Sequence, residues 1–507
     1  MLALAAVYTS FLLLNMGYNS IRWDELVHCM GSWQLIHGRI IDYLTTSTFY
    51  PPMFNVAAAG YFAVGGANIV SARLVTVTFI MLTLLVLFEF TNRTYGARVA
   101  LLSVAFFAVM PGVLWASRFA YIETMLEFFF MLTLFFFFLW LQKSSNRYLL
   151  ASGLALGLGF LVKYQMLVAG LVMISSLFAL GRGYLKSRIS RFSLLLLMAV
   201  VIAAAWFVVV FFYAPNNIGN WLYAVTFGDQ QRSLYSTRFP TPIFYLVEMV
   251  QPYPNQHPIS LLLYLTGFIG LGLIAWRRRL QDKLLLIWFA TVYVAFTLIG
   301  NREWRYVMPL FPVLAISASD AVSSAYDRAK KSWQISDAKP KRKIMTKVVA
   351  AILIVFTVSA VVVSCLDAYS WVTSDRVYVP IQEAVNYVAD RIQPNESIAV
   401  ICANEYFSGG MALFYLQTNN KNNNVIQYPS LPVDTFTPNF NIDELVLMCQ
   451  QNNIKYVLIS EQHSTATYFN SSLTPQTVNA FVYDSGRFRN VATVGTAPER
   501  IFIFTFV

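Results

Sequence analysis

The chain has 507 residues, of which 57% are hydrophobic and 12% charged, and its mean hydropathy is +0.56. That balance leaves too little polar surface to cover a soluble globule of this size, so lipid must serve as part of its solvent. The formal charge of +11 comes from 36 Lys and Arg against 25 Asp and Glu; it falls in clusters between apolar runs, which makes it a topology signal and excludes a nucleic-acid-binding reading.

A helix needs about 20 mostly apolar residues to cross the hydrocarbon core, and about eleven such runs are present. They begin near residues 2, 70, 98, 122, 148, 164, 192, 258, 284, 306 and 347. The first, Leu2 to Gly17, has no basic leader and no small-residue cleavage site before Tyr18, so it reads as a membrane helix, with a signal peptide as the disfavoured alternative. A long segment, 18–69, follows; Leu26, Met30, Trp33 and Ile40 recur there at helical spacing beside Glu25, His28, Gln34 and Arg39, which predicts a helix in the interface plane. Threading the later runs in and out puts Arg93, Arg98, Lys143, Arg147, Arg182, Lys186, Arg188, Arg191, Arg277, Arg278, Arg279, Lys283 and the stretch 328–347 on one side. Short cytoplasmic loops carry the positive excess, so that side is cytoplasmic. The opposite side receives 18–69 and a second long segment, 214–257, whose Trp221, Tyr223, Tyr235, Phe239 and Tyr245 give it the aromatic content of a membrane-surface loop.

Residues 1–370 therefore form a transmembrane domain, and 371–507, where Asn, Gln, Asp and Pro become common, form a soluble domain outside the cytoplasm. Helical patterns over 381–392 and 442–451 alternate there with strand patterns over 398–402 and 456–459, which predicts a small α/β fold. The cysteines Cys29, Cys365, Cys402 and Cys449 lack CxxC spacing and read as isolated thiols, with a Cys402–Cys449 disulfide as the alternative. Sequons at Asn395 and Asn470 fit an outer placement.

The chemistry-bearing residues gather on the predicted outer side. Asp24 and Glu25 follow Arg22 and Trp23 in the first outer segment, and Glu123 closes Ser117-Arg118-Phe119-Ala120-Tyr121-Ile122-Glu123. Acids at a membrane boundary are costly unless paired or facing a polar cavity. Arg118, Lys163, Arg302 and Arg305 each sit at the outer end of a run. Together they suit a substrate whose phosphate is clamped by cations and whose hydroxyl is deprotonated by a carboxylate. Taken singly, each acid is equally explained by pairing with Arg22 or Arg118, and each cation is better explained by snorkelling or by binding anionic headgroups; their joint presence is what favours the substrate reading.

The ordered elements Trp23-Asp24-Glu25, Tyr50-Pro51-Pro52, Ser71-Ala72-Arg73-Leu74, Tyr95-Gly96-Ala97-Arg98, Pro111, Arg118 and Glu123 resemble the N-terminal half of the GT-C glycosyltransferases. Within that superfamily they look most like the protein O-mannosyltransferase and aminoarabinose transferase branch, and Asn301-Arg302-Glu303-Trp304-Arg305-Tyr306-Val307-Met308-Pro309 resembles its late RY-x-x-P element. The resemblance implies a GT-C-type membrane enzyme that passes a sugar, mannose or another hexose, from a polyprenyl or dolichyl phosphate to an acceptor hydroxyl outside the cytoplasm. Direct displacement implies inversion at the anomeric carbon. By position, Asp24 is the general base, Glu25 its neighbour, Glu123 the second-loop acid and Arg118 the arginine before it, while Lys163, Arg302 and Arg305 would hold the donor phosphate. The group commonly has Asp where this chain has Glu123.

No cofactor is required on this reading; a divalent metal ion, carried by some relatives, would find a ligand in His257, although a histidine before a proline is more often a loop residue. The expected partners are the lipid-linked donor, a protein, glycan or lipid acceptor, and the bilayer. Such an enzyme would be a multi-pass cell-membrane protein, or an endoplasmic-reticulum protein in a eukaryote. The competing function is a transporter or flippase of lipid-linked sugars, which would spread charge through the membrane depth; the absence of a visible internal repeat weighs against it. A third is a noncatalytic scaffold that binds a partner through its outer domain.

Overall fold

The structure is a computed structural model. It describes residues 2–46, 50–180, 182–217, 237–253, 256–300, 302–334, 340–401, 406–428, 441–461 and 475–507. Each predicted apolar run carries a helix: Leu2–Leu13, Ile69–Tyr95, Ala97–Ala108 continued by Pro111–Ala116, Glu123–Lys143, Asn146–Phe160, Leu167–Ala179, Arg182–Tyr213, Leu261–Arg277, Leu280–Leu298, Phe311–Gln334 and Pro340–Ser374. Among the described residues, 6 helices are long and apolar enough to cross a membrane by length and composition. The chain is a multi-pass membrane protein.

The chain divides into two compact units. The first comprises Met1–Leu14, Gly38–Ala57 and Arg73–Asp375, the second Asn15–His37, Ala58–Ala72 and Arg376–Val507. In the first unit, helices approach closely where side chains are small. A Cβ on Gly270 would lie 2.0 Å from the Ser317 carbonyl oxygen, so 261–277 can pack this closely on 311–334 only with glycine there, while one on Gly267 would meet Leu314 at 3.1 Å and require that side chain to shift. At the basic ends of these helices the charges are paired. Asp282 is fully buried and accepts from Tyr95 at 2.7 Å and from Arg279 at 3.0 Å, while Arg277 bonds Asp320.

In the second unit the C-terminal residues form a five-stranded sheet. Its strands are β1 (Ser397–Ile401), β2 (Val425–Tyr428), β3 (Ile454–Ser460), β4 (Phe488–Val494) and β5 (Ile501–Phe506), in the order β2-β1-β3-β5-β4. β1 pairs in parallel with β2 and β3, and β5 runs antiparallel to both β3 and β4. Every residue of β1 is buried, as a central strand requires. Helix Ile381–Ala389 buries Ile381, Ala384, Val385 and Val388, one face at 3.6-residue period, and Asn441 caps Ile442–Gln451 by accepting the Asp443 amide at 2.9 Å. Cys449 lies in this core as a free thiol. Cys402 and Asn470 lie outside the described residues.

The first outer segment differs from its prediction. The helix Trp23–Ile36 forms, but Gly38 takes φ +69 after it and Ile40 begins a separate helix, Ile40–Thr46. Its polar members Glu25, His28 and Gln34 are buried, where the interfacial pattern predicts a polar outer face. An apolar helix, Met53–Gly65, occupies the rest of what reads as loop. Residues 218–236 of the aromatic segment 214–257, with Trp221, Tyr223 and Tyr235 among them, lie outside the described residues.

Candidate active site

In the first unit the structure gathers Glu123, Lys163 and Arg305. The short helix Pro111–Ala116 ends in turns that deliver Glu123 as the first residue of Glu123–Lys143, where a carboxylate complements the positive end of the helix dipole. Lys163 follows the helix Asn146–Phe160 in extended conformation (φ −156) and its Nζ donates to Glu123 Oε1 at 3.0 Å. Both side chains are buried, at 7% and 6% exposure. Two rings flank the ammonium, with Tyr306 at 4.8 Å and Tyr50 at 5.7 Å.

Arg305 lies in the same 3-10 turn as Tyr306, Trp304–Leu310. It holds Glu303 in a two-pronged pair, with Nε to Oε1 at 2.6 Å and Nη2 to Oε2 at 2.8 Å. Its guanidinium stands 4.6 Å from the Tyr121 ring, and its charge also acts on Glu123 through space. Two cations and two carboxylates are thus held among tyrosines, in a medium of low dielectric where fixed charges act strongly. An ammonium has three donors, and the bond to Glu123 uses one of them.

The remaining predicted residues of this unit are used elsewhere. Arg118 donates to the carbonyls of Phe11 and Leu12, each at 3.0 Å, and of Leu14 at 2.7 Å, closing the C-terminal end of the first helix where carbonyls lack partners. Arg302 donates to the Thr297 carbonyl at 3.3 Å and stands 5.9 Å from the Phe244 ring. His257 Nδ1 faces the Val250 carbonyl at 2.9 Å, the geometry of a loop histidine. Among the described residues no three His, Cys, Asp or Glu gather as metal ligands would. The donor set among the described residues does not fit a metal centre at His257.

Asp24 and Glu25 belong to the second unit, in the first turn of Trp23–Ile36. Their environments differ. Glu25 is fully buried and its carboxylate accepts the Arg22 backbone amide at 3.1 Å, the reach-back bond of a capping box. Asp24 is exposed.

Tyr50, Tyr121, Glu303 and Tyr306 stood inside the recognised sequence elements, yet sequence reasoning gave them no role. Glu127 was missed altogether. It lies one turn after Glu123, is fully buried, and its carboxyl oxygens meet no hydrogen-bond partner among the described residues. The available signal was an acid inside an otherwise apolar membrane helix.

The chain has the fold of the GT-C membrane glycosyltransferases, as the sequence elements led one to expect. The family model described as dolichyl-phosphate-mannose-protein mannosyltransferase matches residues 50–225, the segment that holds Tyr50, Tyr121, Glu123 and Lys163. ArnT from Cupriavidus metallidurans, in a structure bound to undecaprenyl phosphate, is similar with a TM-score of 0.67 and 15% identity over 100% of this chain and 98% of that one. The archaeal oligosaccharyltransferase AglB from Archaeoglobus fulgidus, in complex with an inhibitory peptide and a dolichol-phosphate, gives a TM-score of 0.60 and 15% identity over 91% of this chain and 69% of that one. The arabinofuranosyltransferase AftD from Mycobacteria gives 0.56 and 16% identity, over 100% and 40%. No curated protein matches the chain in sequence.

Proposed function

We propose that the protein is an inverting glycosyltransferase that moves a hexose, such as mannose, from a polyprenyl phosphate to an acceptor hydroxyl on the non-cytoplasmic side of the membrane. Asp24 takes the acceptor proton as the oxygen attacks the anomeric carbon. The bond from that carbon to the phosphate oxygen breaks as the new one forms, and the polyprenyl phosphate leaves with its charge held by Lys163 and Arg305. Glu123 holds Lys163 charged and in place, and Glu25 shapes the helix start that presents Asp24. Arg118 carries no part in phosphate binding on this account, because its guanidinium closes the first helix.

The observation that carries the proposal is the buried Glu123–Lys163 pair, placed within the family-matched segment and flanked by the aromatic rings of Tyr306 and Tyr50. Burying two charges costs several kcal/mol per ion before their attraction is counted, so such a pair in a membrane protein marks a functional site by default. The lipid-linked donors are proposed from the lipid phosphates bound to ArnT and AglB.

The test is release of polyprenyl phosphate when the purified protein, in liposomes, meets a panel of polyprenyl-phosphate sugars and acceptors. Release with any pair supports the reading. Transbilayer movement of labelled lipid without release would replace it with a flippase.

A further inference from the structure

We infer that the C-terminal domain acts as the platform that fixes the acid-bearing helix Trp23–Ile36, with Ser20, Leu26 and Gly410 as the positioning residues; this rests on the proposed role of Asp24. The second unit joins residues 15–37 to 376–507, although more than 300 positions separate them in the chain. The joints are specific. The Ser20 amide donates to the Val377 carbonyl at 2.9 Å, and its hydroxyl donates to the Val379 carbonyl at 3.1 Å and accepts the Val379 amide at 2.6 Å. Ser20 is buried, so each of these bonds would be costly to lose.

Two residues on, the buried Arg22 places its guanidinium 5.5 Å from the Tyr406 ring. On the other side of Asp24, Leu26 meets the start of the helix Gly409–Thr418. A Cβ added to Gly410 would lie 2.9 Å from Leu26 Cδ2. Contacts at 20, 22 and 26 therefore bracket Asp24.

The Leu26 contact can be tuned. Its near atom is the tip of a side chain, so Gly410→Ala can be absorbed by a rotamer adjustment, whereas the γ-methyls of Gly410→Val must displace Leu26 and the helix that carries it. A displacement of about 1 Å at a reacting group can cost about 100-fold in rate.

The experiment uses the full chain in lipid and compares wild type, Gly410→Ala, Gly410→Val and Gly410→Val with Leu26→Ala. Two readouts are taken: hydrogen exchange of the amides in 23–36, and turnover with a lipid-linked sugar. Gly410→Val is expected to raise exchange in 23–36 and to lower kcat about 10- to 100-fold at a donor KM within about twofold of wild type. Gly410→Ala should stay near wild type, and Leu26→Ala should restore both readouts to Gly410→Val. Unchanged exchange, unchanged turnover, or a loss that Leu26→Ala does not restore in folded protein would overturn the inference. A wild type inactive on every lipid-linked sugar, with the exchange pattern as expected, would instead remove the proposed enzymatic function on which it rests.

Discussion

Replacing Glu123 by Gln keeps the side chain's shape and removes its charge, leaving the Lys163 ammonium buried without its counter-ion. Two unit charges at the observed 3.0 Å attract by about 5 kcal/mol at an effective dielectric near 20. Most of that attraction offsets the cost of taking both ions out of water. Removing one partner should therefore destabilise by about 3–5 kcal/mol, whereas Glu123→Gln combined with Lys163→Met should lie within about 1 kcal/mol of wild type, because no charge is left stranded. The rings of Tyr306 and Tyr50 would keep part of the ammonium's stabilisation in the single variant, by about 0.5–2 kcal/mol. The assay is a double-mutant cycle by denaturing-detergent unfolding in mixed micelles. Equal costs for the single and double variants, or a Glu123→Gln cost under about 1 kcal/mol, would refute the reading that Glu123 compensates the buried Lys163 charge.

Gly270→Val should sharply reduce the fraction of monodisperse protein extracted from membranes, since its Cβ would lie 2.0 Å from a backbone oxygen of the neighbouring helix; wild-type yield would contradict that packing. Burial pushes the Cys449 thiol up to about 12, so iodoacetamide at pH 8 should leave it unmodified until the domain is unfolded, and labelling of the folded protein would count against its core position. In the same domain, the bond from Arg500 holds the Glu461 carboxyl below its ordinary 4.5. Its contribution to stability is thus present above about pH 4.5 and lost as pH falls through the depressed value. Glu461→Gln should flatten that acid limb of the melting curve, and an unchanged limb would deny the pair a role. Cysteines placed singly at 278 and 484 should label from opposite sides of sealed vesicles; labelling from one side would overturn the predicted orientation.

The membrane helices were legible in the sequence because lipid imposes length and apolarity on each run independently of its neighbours. The helix over 442–451 and the central strands β1 and β3 were legible for a related reason, since a local period suffices to mark a buried face. The segments missed behave differently. β4 is an edge strand whose exposure does not alternate cleanly, and β5 follows it in the same antiparallel pair. The basic clusters were read for topology alone, yet Arg277 is paired with Asp320 on a different helix, which no local pattern relates.

The site shows the same division. Residue type and placement near a membrane boundary singled out Glu123, Lys163 and Arg305, and the structure brings these three together. The same criteria selected Arg118, but the open carbonyls of the first helix claim it, a demand that arises only when two elements distant in sequence meet. Nor could local reading assign residues 15–37 to the unit of the C-terminal sheet, because that membership rests on bonds such as Ser20 to Val377.

The most direct test of the central claim is transfer of radiolabelled sugar from polyprenyl-phosphate mannose by the purified protein in lipid, wild type against Asp24→Asn. Asp24 is exposed and near the start of its helix, so the substitution should leave folding intact. The account predicts transfer by wild type, resistant to a chelator, and a loss of at least about 100-fold in the folded variant. Undiminished transfer by Asp24→Asn would contradict the assigned base, and no consumption of any lipid-linked sugar by wild type would contradict the enzyme.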